Sequence, residues 1–182
     1  EMITSNLHAL LADHQVAIEG DRPWQSRLRL LQALWAEATF PDFTPGEYTS
    51  YPRHGSPLTL PLGSRFPDTD TVPDNRNFLT PGIGDVVRET INDTTQSRVI
   101  VQPRIWLDLL SSQPMCFNLF GELKRDRALA SRVVRRLWPD FVVDAVVTDV
   151  QFEWSPGRDE ENFLDNRSAF DVIFFTSFAS LT

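Results

Sequence analysis

Two acidic residues stand where an acid is costly. Asp171 lies within Phe170-Asp171-Val172-Ile173-Phe174-Phe175, and Glu153 lies between Phe152 and Trp154. A carboxylate in such surroundings demands a compensating group: a metal ion, a guanidinium or backbone donors. Arg167, four residues before Asp171, is one structural partner for it. If the two acids sit on neighbouring antiparallel strands, they can converge on one divalent cation. Magnesium favours such hard oxygen ligands and keeps waters for chemistry. The residues alone also allow a plainer reading, in which both carboxylates are structural and satisfied within the protein.

The flanking pattern predicts the strands that carry them. Phe141 to Trp154 is β-branched and partly alternating, with Val150, Phe152 and Trp154 on one side and Asp149, Gln151 and Glu153 on the other. Ser155-Pro156-Gly157-Arg158 ends it, and a charged, turn-rich connection runs from Asp159 to Asn166. Ala169 to Phe178 is then a second strand, apolar on both faces, which predicts cover on both sides. Upstream, short helices are expected around Ile83 to Ile91 and Pro103 to Leu110. Phe117, Leu119, Phe120 and Leu123 mark an apolar helix or turn, and Ala128 to Trp138 reads as an amphipathic helix.

The N-terminal part reads as an αα-hairpin. Leu7, Leu10, Leu11 and Ile18 share one helical face, and Pro23 opens a second helix that continues through Trp24, Leu28, Leu31, Leu34, Trp35 and Ala38. Between Pro41 and Pro81, eight prolines predict an irregular connection. The expected organisation is a helical hairpin over 1–40, this connection over 41–81 and an α/β core over 82–182.

Composition narrows the class. The 182 residues are 41% hydrophobic and 23% charged, which suits a globular chain. The single cysteine, Cys116, excludes an internal disulfide and a cysteine-built zinc site; its apolar neighbours make it a core thiol, in keeping with a cytoplasmic protein. No apolar run approaches the roughly 20 residues of a membrane span. A net charge of −8 argues against indiscriminate polyanion binding. Yet Lys124, Arg125, Arg127, Arg132, Arg135 and Arg136 place six of the seventeen basic residues in thirteen positions. That stretch can contact phosphate, or it is the solvated face of a helix. His8 and His14 are six apart, which does not suit a helical metal pair, and His54 has no recognisable catalytic partner. Gly82-Ile83-Gly84-Asp85 lacks the further glycine or Gly-Lys pair of phosphate-binding loops and reads as a turn and N-cap. Four of the five tryptophans fall in apolar patterns and read as core.

Three blocks together carry a family resemblance: Leu109 to Phe120, with Ser111-Ser112-Gln113-Pro114-Met115-Cys116-Phe117 at its centre; Phe152-Glu153-Trp154-Ser155-Pro156-Gly157-Arg158; and Asp165 to Asp171. In content and order they resemble a bacterial family of the PD-(D/E)XK, restriction-endonuclease-like nuclease superfamily. The resemblance implies an α/β fold in which N-terminal helices precede the first part of a mixed sheet flanked by helices. It implies that Asp171 and Glu153 bind Mg2+ or Mn2+, with Glu122 as a helix-borne acid near the metal. The partner it implies is DNA or RNA, with the basic residues from Lys124 to Arg136 along the backbone, and the reaction is metal-assisted in-line hydrolysis of a phosphodiester. Members carry a further strand with an acid and, two residues on, a lysine. Here Val172 to Thr182 contains neither, and Lys124 is the only lysine. Three explanations stay open: a piece of a longer protein, a catalytically incomplete binding module or subunit of a larger defence-type assembly, or a second chain that pairs with the C-terminal strand.

Overall fold

The computed structural model describes residues 2–51, 56–69, 75–95, 98–140, 144–157 and 168–178. In chain order the elements are α1 (Met2–Asp13), α2 (Pro23–Thr39), β1 (Gly46–Ser50), β2 (Leu58–Leu62), α3 (Pro81–Asn92), α4 (Arg104–Leu107), α5 (Ser112–Arg125), α6 (Arg127–Leu137), β3 (Ala145–Trp154) and β4 (Phe170–Phe178). This is the α/β composition expected. The chain forms two compact units, one of Glu1–Asn77 with Gln102–Ser111, the other of Phe78–Val101 with Ser112–Thr182.

In the first unit, α1 and α2 form the expected hairpin, with Leu11 and Val16 packed against Leu30 and Ala33. Pro23 opens α2, and the Gln25 side chain accepts the Arg22 N–H at 2.8 Å, satisfying a donor the helix leaves over. The stretch expected to be irregular instead carries an antiparallel hairpin, β1 with β2, in the register Gly46↔Leu62 to Ser50↔Leu58. Its prolines permit this because Pro45 and Pro57 stand just outside the strands. Pro61 lies in a two-stranded ladder, where half the N–H groups face outward. Gly46 is required there, because a Cβ would strike the Phe66 carbonyl. The tryptophans also depart from expectation: Trp106 is buried, but Trp24 and Trp35 on α2, and Trp138 in the second unit, are about half exposed.

The second unit holds the predicted sheet. Thr80 caps α3 by accepting the Ile83 N–H on its side chain, so Gly82 to Asp85 form the first turn of a helix rather than a loop before one. α5 lies against α3 where Gly121 meets Ile83. The Phe117 ring of α5 stacks on Phe152 of β3 at 4.3 Å, and Phe120 meets Phe174 of β4 edge-on. From α6, the Ser131 hydroxyl accepts the Val147 N–H at 2.9 Å.

β3 and β4 pair antiparallel, with an irregularity between Val147 and Asp149. Residues 141–143, the expected start of the first strand, lie outside the described residues. Two strand expectations change. Gln151 and Glu153 are buried along with Val150 and Phe152, so β3 is enclosed on both sides at its C-terminal end. β4 is the less covered strand: its interior is half-buried, its ends are exposed, and among the described residues it pairs only with β3. The apolar content of β4 therefore exceeds the cover that the described elements give it.

Candidate functional site

The C-terminal end of β3 meets the start of β4. Phe152 pairs with Val172 and Trp154 with Phe170, and between these pairs Glu153 and Asp171 come near enough for the charge of Asp171 to act on Glu153. The sequence led us to expect both acids among apolar side chains. Instead Asp171 is exposed and Glu153 carries the burial, at 5% exposure. Asp171 escapes because it lies near the open end of β4. Its proposed partner Arg167 lies outside the described residues.

Glu153 is held in an unusual way. Its backbone is left-handed, φ 50°, a conformation that costs a residue with a Cβ on the order of 1–2 kcal/mol. Its carbonyl accepts the Val99 N–H at 3.0 Å, and Arg98 donates to the Phe152 carbonyl at 3.0 Å. The segment at 98–101 thus runs along the edge of β3 opposite β4. Arg98 is fixed in turn by Asp93 at 2.6 Å. Hydrogen bonds from Thr95, with Arg98 beside it, lower the Asp93 pKa to about 2.

The two oxygens of Glu153 differ. Oε2 accepts from Gln113 Nε2 at 3.0 Å, whereas Oε1 is buried and has no hydrogen-bond partner among the described residues. Burial, reinforced by the charge of Asp171 and opposed by the Gln113 hydrogen bond, pushes the Glu153 pKa above its ordinary range. Cys116 lies beside both acids, its Sγ donating to the Asp171 carbonyl at 3.2 Å. Burial first, then the charges of Asp171 and Glu153, push its thiol up to about 12, so it stays a protonated core thiol.

A buried carboxylate oxygen without a donor among the described residues, with a second carboxylate nearby, fits a hard divalent cation. Among the described residues no three histidine, cysteine, aspartate or glutamate side chains gather around a common point. A cation held here would have two carboxylates as its protein ligands, a number that magnesium accepts when water and phosphate oxygens fill the remaining positions.

The other predicted residues fall elsewhere in the second unit. Glu122 is nine residues beyond Gln113 on α5, about half a turn round the helix and about 13 Å along it. Its carboxylate takes the Thr80 hydroxyl at 2.5 Å and Arg125 at 3.2 Å, tying α5 to the cap of α3. Lys124 donates to the Val150 carbonyl at 2.8 Å and approaches Asp149 at 3.4 Å, so it fastens α5 to β3. On α6, Ala130, Ser131 and Val134 face inward. Arg127, Arg132 and Arg136 are exposed and Arg135 is half-buried, with none of the four ion-paired among the described residues. Of the histidines, His14 contacts Glu37 at 2.9 Å, His8 is exposed and His54 lies outside the described residues.

Gln113 was missed from sequence. Its signal was its place in the Ser111-to-Phe117 block, an amide just ahead of the apolar run Met115-Cys116-Phe117.

No helix among the described residues is long and apolar enough to cross a membrane. No curated protein and no solved structure matches the chain. A family model described as the PD-(D/E)XK nuclease superfamily matches residues 19–179, from just before α2 through both strands that carry the two acids. The chain belongs to the PD-(D/E)XK nuclease superfamily, and with it to the restriction-endonuclease-like fold.

Proposed function

We propose that this protein hydrolyses phosphodiester bonds in DNA or RNA at a site where Glu153 and Asp171 hold Mg2+ or Mn2+, completed by a strand bearing the (D/E)xK pair. The observation that carries the reading is Glu153: buried, in a left-handed backbone, with one oxygen unpartnered among the described residues and a second carboxylate nearby. A fold that tolerates both backbone strain and an unpaired acceptor at one residue is retaining that residue for something other than stability. When bound, the cation supplies charge neutralisation at the scissile phosphate and activates a water. Glu153 and Asp171 fix its position. The arginines of α6, not ion-paired among the described residues, supply the attraction that holds a phosphate backbone, with Arg127, Arg132 and Arg136 exposed. The outer edge of β4, without a neighbour among the described residues, is where the completing strand pairs.

The test is cleavage of end-labelled DNA and RNA by the complete protein in Mg2+ or Mn2+. Cleavage that EDTA stops and that Asp171→Ala abolishes supports the reading; an undiminished Asp171→Ala variant refutes the site.

Lys124 favours a second reading. The only lysine in the sequence holds α5 to β3, so no lysine within this chain is placed at the two acids. As a binding module of the same fold, the protein retains salt-dependent association with nucleic acid and cleaves nothing under any metal.

A further inference from the structure

We propose that Gln113 is a positioning residue of this site, orienting Glu153 so that Oε1 is the oxygen presented to a divalent cation; the inference rests on the metal-site reading above. The Gln113 side chain makes three hydrogen bonds in a buried setting. Nε2 donates to Glu153 Oε2 at 3.0 Å and to the Val99 carbonyl, and Oε1 accepts the Val101 N–H at 3.1 Å. Two acceptors on one side and one donor on the other allow a single amide orientation. The flipped amide would set an oxygen against a carboxylate and a carbonyl, and an N–H against an N–H.

The support behind Gln113 is rigid. Phe117, one turn along α5, stacks on Phe152, the residue before Glu153. The 98–101 segment is tied to the same strand by Val99 N–H to the Glu153 carbonyl at 3.0 Å. Gln113 therefore joins three pieces of chain at one carboxylate, α5, 98–101 and β3. With Oε2 occupied, Oε1 is the remaining acceptor, and it is the atom without a partner among the described residues. Without the amide, either oxygen can turn outward, and Val99 and Val101 lose their shared partner. A group that orients a metal ligand in this way commonly changes affinity about 10–100-fold when removed.

A purely structural Gln113 would change stability and leave the metal affinity of the folded protein alone. The experiment measures Mn2+ affinity by electron paramagnetic resonance for the full chain, Gln113→Leu, Glu153→Gln, the double variant and Asp171→Ala. Each is first checked for a cooperative thermal transition. We expect Gln113→Leu to weaken Mn2+ binding about tenfold or more. The same change should have less than about a twofold effect when Glu153 is already glutamine, because the interaction it acts through is gone. If Gln113→Leu shows no cooperative transition, Gln113→Asn, which keeps the amide but shortens its reach, is judged by the same criterion. Unchanged Mn2+ affinity in the folded Gln113 variant, with Asp171→Ala abolishing binding, overturns the positioning role and leaves the metal site standing. Unchanged affinity in both Asp171→Ala and Glu153→Gln overturns the metal site and this inference together.

Discussion

Replacing Glu153 by glutamine should make the metal-free protein more stable at neutral pH. The carboxylate is 5% exposed, with one oxygen unpartnered. Burial and the nearby charge of Asp171 raise its pKa in the fold. In an unfolded chain glutamate titrates at about 4.3. Between that value and the raised folded one, the native state binds more protons than the unfolded state, so stability falls as pH rises through the window and stays reduced above it. Glutamine keeps the shape and discards the charge. Its carbonyl can still accept from Gln113, while its amide nitrogen takes the place of Oε1 and remains unpaired. Since an unpaired buried polar group costs about 1–3 kcal/mol and a charged one more, the gain is the difference, on the order of 1 kcal/mol at pH 8. For a chain of this length that is about 2–4 °C in Tm. The assay is thermal or urea unfolding in EDTA from pH 4 to pH 8, wild type against Glu153→Gln. The advantage of the variant should shrink toward zero at the acidic end. A variant less stable than wild type at pH 8 would refute the reasoning, because it would mean that the fold satisfies the charged form.

Three further outcomes follow from the same geometry. Lys124→Met should lower stability by about 1 kcal/mol at pH 7, by removing a charged donor from the half-buried Val150 carbonyl and Asp149. Burial works to raise the Asp149 pKa, but the Gln151 and Lys124 interactions outweigh it and hold it low. The Asp149 contribution is therefore present above about 3.9 and lost as pH falls through the folded value, so unfolding curves of the two proteins should converge in acid. Changing Arg132, Arg135 and Arg136 together to glutamine should reduce the salt dependence of nucleic-acid binding, the slope of log K against log salt falling by about 2–3, with stability within about 1 kcal/mol of wild type. Cys116, its thiol pushed up to about 12, should resist iodoacetamide at pH 8 in the native protein and react only on unfolding, as followed by mass spectrometry.

The two acids stood out in the sequence because a carboxylate amid Phe, Val and Ile breaks the local pattern, and the strands around them were legible because their β-branched runs are long. Which acid is buried was not legible. Sequence places Asp171 in the more apolar run, but burial depends on which elements cover each strand end. α5 and the 98–101 segment enclose the end of β3, while Phe170 and Asp171 at the start of β4 are exposed. The β1–β2 hairpin was hidden by its prolines, since a proline on an outward-facing ladder position costs little and the sequence does not say which way the position faces. The arginines and Lys124 looked like one basic cluster because they are adjacent in sequence. Helix geometry separates them: Lys124 turns onto β3, Arg125 pairs with Glu122, and the α6 arginines point away from the Ala130–Val134 face. Gln113 escaped because a single amide carries no charge pattern; its role is visible only once Val99, Val101 and Glu153 are brought to it by the fold.

The most direct test of the central claim is a crystal of the protein grown or soaked in Mn2+, with data collected at the manganese absorption edge. The account predicts an anomalous peak within about 2.3 Å of both Glu153 Oε1 and an Asp171 carboxylate oxygen, with Oε2 still on Gln113. No peak between these two residues at saturating Mn2+, or a peak held by other side chains, would contradict it.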